Sequence, residues 1–329
     1  MARDDLRAAI SGGAVARWFA FRCACVAAIV LLGGIWADSA RHAAVATAAE
    51  NPAYTVSEPD YFLYVPPNAA RFQPVQVLVA LHGMGGDGPA FCQSLLAAAE
   101  RNGWIVLAPT FTYQDYRNPA LVLQDDTTFL PRLKAMLDAL PARTGLATRD
   151  QALLYGFSRG GQSVHRFATF YPERVLGVAT LSAGSYTLPL NTMLVNKRSA
   201  TLALPYGVSD LNARLGRDFN YPAFRNVAFW VAVGELDTSA ADTPRAWDPY
   251  LGTTRVERAR AYARTLQDIG VQSSLAVYPG AGHTVTPQMQ ADALRFLEGV
   301  AARNAKPYGL GPVRGSLTSG AIVNLALKH

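Results

Sequence analysis

Short apolar runs of strand length alternate along this chain with stretches in which apolar residues recur at i, i+3, i+4 and i+7. Seven runs predict strands: Tyr61 to Val65, Val75 to Leu81, Trp104 to Leu107, Asp150 to Phe157, Val175 to Leu181, Val227 to Val233 and Leu275 to Tyr278. Helical patterns lie between most of them, at Pro89 to Arg101, Thr128 to Leu140, the stretch after Ser158, Arg255 to Ile269 and Pro287 to Ala302. Thr286 followed by Pro287 gives the last helix a capping side chain and a proline at its first position. Strand and helix in alternation predict an α/β fold, with a mostly parallel, doubly wound sheet covered on both faces. No internal repeat interrupts the pattern.

Two stretches depart from it. Between Ser182 and Arg225 no periodicity is clear, and Tyr186, Tyr206, Phe219 and Tyr221 are spread among Asn, Asp, Arg and Gly. A connection of that length is usually functional or disordered. The aromatics favour an insertion that acts as a lid or pocket wall and contacts substrate through those four residues; an insertion that only packs on the surface is the alternative. At the N-terminus Arg3, Arg7, Arg17 and Arg22 precede an apolar stretch from Cys23 to Trp36, and Ala46, Thr47 and Ala48 form a small-x-small site. That is the layout of a signal peptide over residues 1–48, with export to the periplasm or medium. Counted from Trp18, the stretch approaches the roughly 20 residues of a membrane span, so an uncleaved N-terminal anchor is the alternative, and the membrane enters in no other way. The expected organisation is a signal segment 1–48, one domain 49–304 with an insertion 182–225, and a tail 305–329.

Composition changes this picture little. With 50% hydrophobic residues in 329, the chain can bury a large core. The formal charge of +6 comes from scattered arginines, with no basic run interleaved with aromatics, which argues against a nucleic-acid partner. Of the three cysteines Cys23 and Cys25 fall in the targeting segment, leaving Cys92 to pack and no disulfide framework. No His/Cys/Asp/Glu cluster has metal-ligand spacing, so no metal and no cofactor is expected. Nothing in the sequence sets the oligomeric state.

The candidate chemistry gathers on the stretch from Leu153 to Phe170. An apolar strand, then Gly156, Phe157, Ser158, Arg159, Gly160, then an amphipathic helix is the context in which Gly-X-Ser-X-Gly forms a nucleophile elbow. A serine on so tight a turn leaves no room for Cβ atoms two residues to either side, and Gly156 and Gly160 provide it. A hydroxyl needs a base, and the base needs an orienting partner. Of the five histidines His42 lies in the targeting segment and His329 ends the chain; His165 sits roughly 10 Å down the helix from Ser158. His82 belongs to a glycine loop. His283, in Pro279, Gly280, Ala281, Gly282, His283, stands on a loop directly after the last strand and is the candidate base. In the order Ser, acid, His the acid falls between them. Asp237 follows a buried strand at the ligand-facing sheet edge and is the candidate; Glu235 competes, with Asp242 and Asp248 more distant. Leu81, His82, Gly83, Met84, Gly85 and Gly86 follow another buried strand, and the N–H groups of Met84 and Arg159 are the expected oxyanion donors.

With these stretches the chain resembles the α/β-hydrolase superfamily and, more narrowly, the secreted polyhydroxyalkanoate depolymerase and feruloyl or acetylxylan esterase group. The likeness is carried by Leu81 to Gly86, by Asp125 and Asp126 with Phe129, by Gly156 to Gly161, and by the Gly234 to Asp237 and Gly282 to His283 ends. It implies a Ser158, Asp237, His283 triad that hydrolyses small or polymeric carboxylic esters through an acyl-enzyme. For Asp125 and Asp126 a helix N-terminal cap is the expected role. The chain departs from many relatives in having Met84 where they have cysteine, in lacking their extra cysteine pairs, and in placing the long cation of Arg159 beside the nucleophile. A peptidase or amidase of the same fold, and a hydrolase-like binding protein without catalysis, are the alternatives.

Overall fold

The computed structural model describes residues 54–58 and 60–305. The expected signal peptide or anchor and the tail beyond Ala305 lie outside the described residues. Among these, no helix is long and apolar enough to cross a membrane.

The strands are β1 (Tyr54–Glu58), β2 (Tyr61–Val65), β3 (Val77–Leu81), β4 (Ile105–Pro109), β5 (Ala152–Phe157), β6 (Val175–Leu181), β7 (Thr192–Val195), β8 (Arg198–Thr201), β9 (Ala228–Gly234) and β10 (Ser273–Tyr278). The helices are α1 (Gly88–Cys92), α2 (Leu96–Asn102), α3 (Pro119–Thr144), α4 (Arg159–Phe170), α5 (Leu211–Leu215), α6 (Tyr221–Phe224), α7 (Asp248–Leu251), α8 (Arg255–Asp268) and α9 (Pro287–Arg303). Eight strands form one sheet in the order β1-β2-β4-β3-β5-β6-β9-β10. Strands from β4 to β10 run parallel, and β2 joins both β4 and β1 antiparallel. All seven predicted strands are present.

Burial explains why the central strands read as unbroken apolar runs. In β3, Val77, Val79 and Leu81 enter one core with residues of α3, α4 and α8, while Leu78 and Ala80 enter a second core with α1, α2 and α9. Successive side chains of a strand point to opposite faces, so a sheet covered on both sides needs every position apolar. Cys92 is fully buried in the second core. Helix α4 lies so deep that all twelve of its residues are buried. The starts of α8 and α9 are capped by side chains: Thr254 and Glu257 make a reciprocal capping box, and the Thr286 hydroxyl accepts from the Met289 N–H.

The stretch between Ser182 and Arg225 is folded, with the hairpin β7 and β8, the short helices α5 and α6, and buried Tyr186, Leu188, Leu202, Leu204, Leu211 and Phe224. The hairpin turns through Asn196 and Lys197, both at positive φ (50° and 64°), and pairs only with itself.

Candidate active site

Four connections that leave the ends of parallel strands, β3, β5, β9 and β10, build the site. After β5 the chain reverses sharply at Ser158, whose φ of 55° and ψ of −115° lie outside the regions a side chain normally permits. The turn is held by the Ser158 N–H, which donates to the Leu181 carbonyl on β6 at 2.9 Å. A Cβ on Gly156 would strike the Gly160 carbonyl, and one on Gly160 would strike the Leu81 carbonyl, so both flanking positions exclude any larger residue. The strain is imposed by close packing of α4 against β3 and β5 and leaves the Ser158 hydroxyl at the mouth of the turn.

The connections after β9 and β10 meet each other. Leu236 N–H donates to the Ala281 carbonyl at 2.8 Å, Glu235 N–H to the Tyr278 carbonyl at 2.9 Å, and a Cβ on Gly234 would strike the Gly282 carbonyl. This contact sets Asp237 beneath His283. His283 Nδ1 lies 2.8 Å from Asp237 Oδ2, and its Nε2 lies 2.9 Å from Ser158 Oγ. The Asp237 carboxylate accepts at Nδ1, so Nδ1 carries the proton and Nε2 faces Ser158 with its lone pair. The Phe157 ring packs on the imidazole with centroids 4.9 Å apart. Asp237 is buried, whereas the His283 side chain is 35% exposed. Of the competing acids, Glu235 accepts from the Gly280 N–H at 3.1 Å and Asp248 pairs with Arg258 at 2.7 Å. Neither reaches His283.

These groups open on a cavity of about 300 Å³. Gly83 and Met84 from the connection after β3, Tyr116, Asp242 and the buried Arg159, Gln162 and Arg255 line it with Phe157, Ser158 and His283. The Arg159 N–H is the first of α4, one of the donors a helix leaves without an internal partner. Met84 is 42% exposed, on a loop that Gly85 turns at a φ of 67°. Among the described residues no three His, Cys, Asp or Glu side chains gather as a metal-binding group.

A likeness to a solved structure follows from this architecture. The chain superposes on poly(aspartic acid) hydrolase-1 from Sphingomonas sp. KT-1 with a TM-score of 0.56 and 19% identity, over 75% of this chain and 97% of that one. The protein has the α/β-hydrolase fold. Weaker likenesses are to an S-formylglutathione hydrolase from Agrobacterium tumefaciens (TM-score 0.49, 15% identity, 76% and 94% of the two chains) and to a ferulic acid esterase (0.49, 16%, 75% and 96%). No protein-family model and no curated protein matches the chain in sequence.

Within this fold several expected residues stand elsewhere. Tyr186 is fully buried, stacked on Tyr262 with centroids 4.4 Å apart. Tyr206 packs on Trp247 and Tyr250 and lines a separate cleft with Leu204 and Pro205. Phe219 and Tyr221 line a third depression beside Pro189 and Leu190. None of the four borders the Ser158 cavity; Tyr186 and Tyr206 pack the insertion against residues that follow β9, and Phe219 packs against Tyr221 and Phe224 within it. Asp125 and Asp126 do not cap a helix. Asn118 caps α3, its side chain accepting from the Ala120 N–H, and the two aspartates lie buried inside that helix. Arg159 Nη2 reaches Asp126 Oδ1 at 2.9 Å and Asp125 Oδ2 at 3.5 Å, and Arg166 Nη1 reaches Asp126 Oδ2 at 3.2 Å. The Arg159 guanidinium therefore points into the core and leaves only its backbone at the site.

The other two described histidines are committed to structure. His82 Nδ1 donates to the Gly83 carbonyl at 2.7 Å while Nε2 accepts from the Phe111 N–H at 3.0 Å. His165 does likewise between the Gly161 carbonyl and the Thr187 N–H, both at 3.0 Å. Burial pushes both imidazoles below their ordinary value, His165 well below, where the Arg166 charge adds to the effect.

One residue of the site went unread in the sequence. Arg255 Nη1 donates to Asp237 Oδ1 at 3.1 Å, and Nη2 donates to the Asp242 carbonyl at 2.6 Å. It therefore holds the carboxylate oxygen that His283 does not use. Its signal was an arginine at the first position of α8, where the positive end of a helix disfavours a cation unless an acid meets it.

Proposed function

We propose that the protein is a serine hydrolase of carboxylic esters that works through an acyl-enzyme. The observation that carries this reading is the unbroken row Ser158, His283, Asp237, joined at 2.9 and 2.8 Å and opening on a cavity at a strained turn. Ser158 Oγ attacks the acyl carbon as its proton passes to His283 Nε2, and Asp237 holds the imidazole and stabilises the charge it gains. The N–H groups of Arg159 and Met84 face the oxygen that becomes negative, and being fixed beforehand they favour the transition state over the ester. His283 then protonates the departing alkoxide, and a water molecule, activated by the same nitrogen, releases the acid. Esters come first because an alkoxide leaves with less help than an amine.

Amide hydrolysis by the same residues is the second reading. The name of the structural neighbour, poly(aspartic acid) hydrolase-1, favours it. Hydrolysis of nitrophenyl esters from acetate to long acyl chains, alongside the matching nitroanilides, tests both. Ser158→Ala should lower kcat by about 10⁶ on whichever series is turned over. A variant that keeps most of the activity would remove Ser158 from the chemistry.

A further inference from the structure

The charged groups that line the Ser158 cavity are paired, with one exception. Arg159 closes on Asp126 and Asp125, Arg255 on Asp237 and the Asp242 carbonyl, and His283 on Asp237 and Ser158. The exception is Asp242, an exposed residue of the lining whose carboxylate has no hydrogen bond or ion pair to its oxygens among the described residues.

The backbone that carries this carboxylate is held in place. Asp242 N–H donates to the Ser239 carbonyl at 3.3 Å, and its own carbonyl receives Arg255 Nη2. The next residue, Thr243, is buried and donates its hydroxyl to the Thr253 carbonyl at 2.8 Å. A negative charge is thus carried by a held backbone at a site whose other charges cancel locally. Of the cations outside the lining, Arg245 donates to the Ala240 carbonyl at 3.4 Å and pairs with Asp248 at 2.6 Å, and Arg117 lies over the Tyr116 ring at 4.7 Å.

We propose that Asp242 selects substrates bearing a cation, an ammonium or guanidinium group on the acyl or alcohol part, and disfavours anionic ones. This specifies the substrate class of the serine-hydrolase reading and rests on it. An unpaired carboxylate that lines the same cavity as the reacting serine attracts a cation bound there, and salt weakens that attraction. The chain as a whole carries +6, so a preference for cations cannot come from net charge and must be local.

Two substrate pairs test it. Acetylcholine is compared with its uncharged dimethylbutyl isostere, which places the charge in the alcohol. The nitrophenyl ester of trimethylammonio-butanoate is compared with its tert-butyl isostere, which places it in the acyl group. The wild-type enzyme should favour the cation in at least one pair by about fivefold in kcat/KM, as expected of an exposed ion pair, and added salt should shrink the ratio. Asp242→Asn should bring that ratio to about one and Asp242→Lys should invert it. Turnover of both members of each pair at equal kcat/KM, or an unchanged ratio in Asp242→Asn, overturns the assignment of Asp242 and leaves the hydrolase standing. Absence of turnover for all four esters and for nitrophenyl acetate overturns the ester-hydrolase reading and the selectivity together.

Discussion

The Ser158 row and the buried cluster between α3 and α4 are assembled from the same residue types, and they differ in where they end. In the cluster Arg159 and Arg166 meet Asp126 from two sides, Ser163 receives Arg159 Nη1 at 3.0 Å, and Ser185 receives Arg166 Nη2 at 2.7 Å. His165 beside it spends both nitrogens on backbone groups. Every bond there returns to the protein interior. The other row starts from a buried aspartate and finishes on a serine hydroxyl at a cavity, through a histidine one-third exposed. Residue chemistry therefore does not distinguish an active site from a structural polar core; an end open to a ligand does.

Breaking each row should have a different consequence. Asp237→Asn keeps the side-chain volume but offers an N–H to His283 Nδ1, reversing the tautomer so that Nε2 can no longer accept from Ser158. The expected loss is about 10⁴ in kcat, as in other triads so altered, while the unfolding midpoint moves far less than activity. A companion Glu235→Gln should leave kcat within a few-fold, and the reverse order would move the acid. Asp126→Ala strips two buried guanidinium groups of their shared partner. It should cost about 3–5 kcal/mol of folding stability in denaturant titrations, with kcat per folded molecule changed little. If it instead lowered kcat at unchanged stability, the cluster would belong to the catalytic machinery.

A smaller effect sharpens the contrast through pH. His165 is held neutral in the folded chain, well below its unfolded value of about 6.5. The folded state binds this proton less readily than the unfolded one, so the contribution is complete above about pH 6.5 and is lost as pH falls below it. Melting temperature should decline from pH 7 toward pH 5, and His165→Gln should flatten that decline. Equal slopes in the two proteins would show that His165 is not the group responsible.

The same contrast explains what could be read from the sequence. The strands were legible because a sheet buried on both faces makes β3, β4 and β6 continuous apolar runs. Ser158 was legible because its strained turn forces glycine at 156 and 160, and His283 because few histidines were left once position was considered. What stayed hidden was tertiary. Asp125 and Asp126 read as a helix start because they stand just ahead of the helical pattern from Thr128 to Leu140; in fact α3 starts at Pro119, and the acids meet Arg159 and Arg166 on α4 and Gln114 ahead of α3. The hairpin β7 and β8 has no apolar alternation, since two of four residues of β7 and three of four of β8 are exposed and, among the described residues, it pairs only with itself. The aromatics from Tyr186 to Tyr221 are as consistent with a core as with a pocket wall, and only packing partners decide.

The central claim is that Ser158 is a nucleophile activated by His283. Incubation of the folded protein with a fluorophosphonate probe, followed by peptide mass analysis, tests it without knowledge of the substrate. A single adduct on the peptide carrying Ser158, formed far more slowly in His283→Ala, is the predicted result. An unlabelled Ser158, or labelling that proceeds equally fast without His283, would contradict it.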